Sequence, residues 1–255
     1  MRSLLAIAAM TLATSAAAEV KTQLVEYKQG DTVLEGYLAV DAAAKPRAAV
    51  LIVHDWMGVG PYVKKRAEQL AALGYLAFAA DIYGKGVRPK DAKEAGALAG
   101  QYRSGDRALL RARVNAALEA LRKQPGVDPA RVAAIGYCFG GSTVLELARS
   151  GADVKAVVTF HGGLAAGTGE SKLRTKVLAL HGADDPYVPP PEVAAFEDEM
   201  RKAGVDWQLV KYSGAVHSFT QEAAGNDNSK GAAYNAAADR RSFQAMKDFF
   251  AELFG

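Results

Sequence analysis

Short runs that are apolar at nearly every position recur along the chain: Ala48 to Val53, Tyr75 to Ala80, Val132 to Ile135, Val154 to Phe160 and Lys176 to Leu180. Runs of this kind suit strands buried on both faces of a parallel sheet. Between them the spacing changes to the helical period. Tyr62 to Leu73 places Val63, Ala67, Leu70 and Leu73 on one face and stops at Gly74. Asp106 to Lys123 is strongly amphipathic and is stopped by Pro125-Gly126. Helices are also predicted over 141–149, over Pro191 to Ala203 and over Ala232 to Phe254, the last with Phe243, Met246, Phe249, Phe250 and Leu253 as its stripe. Strand alternating with helix predicts a mostly parallel central sheet with helices on both faces, an α/β fold.

Two segments differ. Thr22 to Lys28 and Thr32 to Val40 alternate apolar and polar around Gln29-Gly30-Asp31, which predicts an antiparallel hairpin at a sheet edge. Trp207 to Tyr212 is the last strand. Residues 85–104 are polar and glycine-rich with weak helical content, and read as a small insertion or lid. At the N-terminus Arg2 precedes an apolar run from Leu4 to Leu12, and Ala16-Ala17-Ala18 follows. That layout is a secretory signal peptide over residues 1–18, which places the mature chain in the periplasm or outside the cell. The run is too short to span a bilayer. With no repeat and no Pro/Ser-rich linker, residues 19–255 read as one domain.

A net charge of +3 over 255 residues carries no basic run for nucleic acid, and a single cysteine excludes an intrachain disulfide or a CxxC site. The expectation is a monomer acting on a small molecule. The chemistry centres on that cysteine. Gly136-Tyr137-Cys138-Phe139-Gly140-Gly141 lies between an apolar run and a helical one. Strand, G-x-C-x-G, helix is the setting of a nucleophile elbow, with cysteine where serine more often stands. The turn needs tiny flanking residues and sets the nucleophile at a helix N-terminus, where unpaired N–H groups favour an anion.

The four histidines are His54, His161, His181 and His217, and three of them follow a predicted strand directly. Ligands bind at the carboxyl ends of strands in open α/β sheets. A metal site is the competing use of such a group, but no pair has H-x-H or H-x3-H spacing, so no metal and no organic cofactor is expected. In an elbow enzyme the order is nucleophile, acid, histidine. Only His217 follows both Cys138 and the acids Asp184 and Asp185. Asp185 is preferred as orienter because Pro186 restricts its backbone, with Asp184 as turn-former. His161 and His181 read as hydrogen-bonded histidines at strand ends. The oxyanion hole falls to the N–H groups of Phe139 and Trp56. Trp56, Tyr83, Tyr137, Phe139 and Tyr187 either wall an apolar pocket or belong to the core.

The stretches VLIVHDWMGVGP, AFAADIYGKG, AAIGYCFGG, LALHGADDPYVPP and GAVHSF, spread over residues 48–219, together resemble the dienelactone hydrolase family of the α/β-hydrolase superfamily. The resemblance implies a triad of Cys138, Asp185 and His217 and a carboxylic ester or lactone as substrate. It places an acid in contact with the thiol, and here that position is Asp55, where the family has glutamate. It places a substrate-binding arginine shortly after the histidine, and here that position is Gln221; Tyr83 and Arg103, with Arg107 nearby, are further candidates for substrate contact. Two other readings use the same frame: a thioesterase or acyl-transferase, and a non-catalytic binding member.

Overall fold

The computed structural model describes residues 18–255 apart from 44, 47, 169 and 170, so the signal peptide read over residues 1–18 lies, but for its last residue, outside the described residues. Eight strands form one sheet in the order β1-β2-β4-β3-β5-β6-β7-β8. The strands are β1 (Val20–Gln29), β2 (Thr32–Asp41), β3 (Ala49–Val53), β4 (Leu76–Ala80), β5 (Val132–Tyr137), β6 (Ala156–Phe160), β7 (Lys176–Gly182) and β8 (Trp207–Tyr212). The pairs β1–β2 and β2–β4 are antiparallel, and every other pair is parallel. The hairpin thus forms one edge, and the five strands from β4 to β7 that are flanked on both sides make the interior.

The helices are α1 (Pro61–Ala72), α2 (Ala92–Arg103), α3 (Ala108–Arg122), α4 (Phe139–Arg149), α5 (Pro190–Ala203) and α6 (Ala236–Phe254). Successive side chains of a strand point to opposite faces. Val50, Ile52, Ala133 and Ile135 accordingly pack with α1 and α6, while Leu51, Val53, Val132 and Ala134 pack with α3, α4 and α5. The unbroken apolar runs of the sequence exist because β3 to β6 are covered on both sides. No helix among the described residues is long and apolar enough to cross a membrane.

Several boundaries move from their sequence expectation. Residues 85–104 resolve into a loop and α2, whose Ala95, Ala99 and Tyr102 are buried; Asp91 caps it by accepting the Glu94 N–H at 2.9 Å. α3 begins at Ala108 because Arg107, in a left-handed conformation at φ 57°, is its N-cap. α6 begins at Ala236 rather than 232. The preceding residues pair instead with the loop after β8: Gly231 accepts the His217 N–H, and Ala233 donates to the His217 carbonyl. Asn235 then caps α6 through the Ala238 N–H at 3.1 Å.

One ionic cluster supports the helix that starts at Cys138. Glu146 of α4, 1% exposed, faces Arg107 at 2.9 Å, Arg111 at 2.8 Å and Arg149 at 3.0 Å. Removing one partner of a buried ion pair strands the other charges, which costs about 3–5 kcal/mol. Urea denaturation of Glu146→Ala should therefore show a loss of that size, with an unchanged slope.

Candidate active site

β5 delivers Cys138 to the carboxyl edge of the sheet, and the glycines around it explain how tightly the turn closes. A Cβ on Gly136 would lie 2.0 Å from the Gly140 carbonyl oxygen, and one on Gly140 would lie 2.2 Å from that of Val53. α4 can therefore start at Phe139 directly over β3 and β5, two residues earlier than its sequence pattern suggests. Cys138 itself sits at φ 54°, ψ −112°, a strained conformation for a residue with a Cβ.

Three strand ends converge on the sulfur. Cys138 follows β5, Asp185 follows β7 and His217 follows β8. His217 Nε2 lies 3.0 Å from Cys138 Sγ, and His217 Nδ1 donates to Asp185 Oδ2 at 2.8 Å. The other Asp185 oxygen accepts the Tyr187 N–H at 2.9 Å, so a turn amide holds the carboxylate. Asp184 instead accepts the Gly214 N–H at 3.0 Å and faces away from the histidine. The Asp185 side chain is fully buried and that of His217 is 13% exposed. Burial opposes charge on the His217 ring, but the facing Cys138 and Asp185 outweigh it and push its pKa up to about 10.

The loop after β3 lies across from this line. Asp55 Oδ1 accepts the Met57 N–H at 2.7 Å, which removes Met57 as an oxyanion donor. The N–H groups of Trp56 and Phe139 donate to no other group among the described residues. Asp55 Oδ2 accepts Gln221 Nε2 at 2.7 Å. The resemblance set Asp55 against the thiol; its hydrogen bonds run instead to Met57 and Gln221, and the sulfur's runs to His217. Aspartate is one methylene shorter than glutamate and Gln221 is within its reach. The two family positions that differ here are thus bonded to each other, joining the loops after β3 and β8. Burial pushes the Asp55 carboxyl up, against the pull of its two donors.

The aromatic candidates divide. Tyr83, buried, donates through its hydroxyl to the Trp56 carbonyl at 3.0 Å, and its ring packs on Phe139 with centroids 5.4 Å apart. Tyr137 is fully buried on the opposite face and belongs to the core. Tyr187 is 59% exposed and stands edge-on to the His217 ring at 5.4 Å. Arg103, at the end of α2, and Arg107 line a cavity of about 170 Å3 with Ser142, Gly163 and Tyr187. Ser142 is one helical turn from Cys138 and Tyr187 packs on His217, but Cys138, Asp185 and His217 do not themselves line this cavity. A larger hollow of about 970 Å3, lined by Arg111, Arg149 and Lys172, contains none of the three converging residues.

Burial disfavours charge on the remaining histidines. His54 Nε2 accepts the Ile82 N–H at 3.3 Å and Nδ1 donates to the Asp55 carbonyl; burial pushes its pKa down to about 4. Burial also pushes His161 and His181 down. No cluster of three or more metal-ligating side chains occurs among the described residues. Sequence reasoning did not find the left-handed Ser218 beside His217, nor the Glu146 cluster. The spacings Arg107/Arg111 and Glu146/Arg149 were visible, but one helix's charges do not reveal which other helix answers them.

A sequence model of the dienelactone hydrolase family matches residues 34–254. A dienelactone hydrolase-like promiscuous phosphotriesterase from metagenomic libraries is 44% identical, covers 92% of this chain and 99% of its own, and superposes with a TM-score of 0.88. A Synechocystis protein provisionally named carboxymethylenebutenolidase is 27% identical over 91% of this chain and 97% of its own length. An uncharacterised protein of Caenorhabditis elegans is 36% identical over 57% of this chain and 94% of its own. Matched by the family model over residues 34–254 and superposing on a dienelactone hydrolase-like structure over 92% of its length, the chain belongs to the dienelactone hydrolase family of α/β-hydrolases.

Proposed function

We propose that the chain hydrolyses carboxylic esters or lactones with Cys138 as nucleophile, His217 as acid and base, and Asp185 as orienter. The observation that carries this reading is the hydrogen-bonded line from Asp185 through His217 to a sulfur displayed in a strained elbow. A proton held on His217 leaves the sulfur its electron pair. Sγ attacks the carbonyl carbon, and the Trp56 and Phe139 N–H groups receive the oxyanion. The tetrahedral intermediate collapses by breaking the C–O bond, and His217 Nε2 passes its proton to the departing alkoxide. His217, now neutral, takes a proton from water while the water oxygen attacks the thioester. The C–S bond breaks, the acid leaves, and the proton is back on His217.

The 44% likeness to a promiscuous phosphotriesterase favours a second reading, in which aryl phosphotriesters phosphorylate the same sulfur: the S–P bond forms as the P–O bond to the aryl group breaks, and the phenolate leaves with the His217 proton. Rapid mixing with a 4-nitrophenyl ester tests the assignment. The expected result is a burst of about one phenol per active site, followed by turnover, with the acyl group recovered on Cys138 as a thioester by peptide mass spectrometry. Turnover without a thioester on Cys138 would remove the cysteine from the reaction. A phosphotriester arm of the same experiment reads the second substrate class.

A further inference from the structure

A second histidine stands behind the converging line. His161 follows β6 directly, is fully buried, and takes φ 40°, a conformation that residues with a Cβ avoid. Among the described residues the left-handed non-glycine positions are Arg107, Cys138, His161 and Ser218. Cys138 is the proposed nucleophile and Ser218 adjoins His217, so this strain gathers at the site. The ring of His161 lies edge-on to that of His217 at 5.4 Å and 65°, and Phe219 closes its other side at 5.0 Å.

The hydrogen bonds to His161 are best satisfied in one direction. Arg66, a donor only, binds Asp239 at 2.6 Å and the Thr220 carbonyl at 3.0 Å, and its Nε donates to the Tyr62 hydroxyl at 3.3 Å. With Tyr62 donating to Thr220 Oγ1 at 2.6 Å and Thr220 donating to His161 Nε2 at 2.7 Å, every hydroxyl proton of the chain is used; the reverse direction would leave the Tyr62 proton without an acceptor among the described residues. In that direction Nε2 accepts and the neutral ring carries its proton on Nδ1. That atom is buried and has no hydrogen-bond partner. Backbone strain and an orphaned donor at one residue call for an explanation. Burial, reinforced by the charges of His217 and Arg66, likewise pushes the ring's pKa down.

We propose that His161 is a positioning residue for His217: fixed in one tautomer by the relay Arg66–Tyr62–Thr220, it forms the rear wall that keeps the His217 imidazole aimed at Cys138. Thr220 doubles the effect because it belongs to the histidine's own loop, which Arg66 also grips through the Thr220 carbonyl. The proposal rests on His217 acting on Cys138, and the wild-type burst and thioester test that separately.

The ionisable groups around His217 are Cys138, Asp185 and Tyr187, with His161 and His181 on the sides of β6 and β7. The test compares Thr220→Val, which keeps shape and removes the donor, with Thr220→Ser, which keeps the donor, and with His161→Gln. With a 4-nitrophenyl ester, Thr220→Val and His161→Gln should lose roughly 10- to 100-fold in kcat, a misaimed general base. KM should stay within about twofold, since the wall touches no substrate. Loosening His217 from Cys138 and Asp185 weakens what raises its pKa, so the basic limb of kcat/KM should move down from about 10. Thr220→Ser should restore both readouts. Folded variants with wild-type kcat and an unmoved basic limb would overturn the proposal, as would losses that merely follow the folded fraction. Should the variants not fold, 15N spectra of the wild-type histidines decide. At neutral pH His161 should show an unprotonated Nε2 and a protonated Nδ1; a proton on Nε2 overturns the relay.

Discussion

Replacing Cys138 by alanine is expected to lower kcat/KM for small aryl esters by roughly 10^5-fold or more, as loss of the nucleophile does in related triads. The proposed oxyanion donors survive, so what should remain is the slow attack of water on a bound ester. Steady-state assays with the melting temperature as control read this directly. Unchanged turnover would mean that a different group attacks. Cys138→Ser separates charge from position. The raised pKa of His217 owes its largest favourable contribution to Cys138, so in the serine variant His217 should titrate well below about 10. A hydroxyl needs a neutral histidine to take its proton, so the residual activity of that variant should rise with pH. The wild-type enzyme should behave in the opposite way, losing kcat/KM as the His217 proton leaves near pH 10. The same proton makes a stability contribution with the sign of a raised pKa. It is fully present below the unfolded value of about 6.5 and is lost as pH rises through about 10.

Asp185→Asn is expected to cost roughly 10^4-fold in kcat, because an amide holds the wrong ring tautomer of His217 and gives no support to its positive charge. Asp184→Asn, one residue earlier, should stay within about threefold of wild type: its carboxylate serves the Gly214 N–H, and an amide oxygen accepts that bond as well. The two variants differ by one position and one chemical group, so the contrast reads the geometry rather than the local charge. Equal losses in both would show that the turn as a whole, and not the Asp185 carboxylate, supports His217.

How far the site could be read from sequence depended on whether the interaction is local. Val53-His54 and Phe160-His161 are legible as strand ends because a strand covered on both faces writes an unbroken apolar run, whereas β5 runs two residues past the apolar run that ends at Ile135. The elbow is legible because backbone contact at Gly136 and Gly140 demands glycine. The start of α6 was placed too early because Ala232 and Ala233 favour a helix locally, yet their backbone bonds are taken by His217. Asp55 was read as a contact of the thiol, and its bond to Gln221, 166 positions away, has no periodicity to betray it. The same holds for Thr220 and His161, and for Glu146 and its arginines.

The hydrogen bonds that align the site join residues 79 and 32 positions apart, and the histidine's loop is held in turn by residues 231–235 near the chain's end. No early-forming hairpin or helix pair contains the site. Every loop closure must precede it, and such long-range closures are the slow part of folding. Esterase activity is therefore a reporter of the finished sheet. In a refolding experiment it should be the last signal to return, and a nascent chain would carry an inert thiol until the residues before α6 had docked.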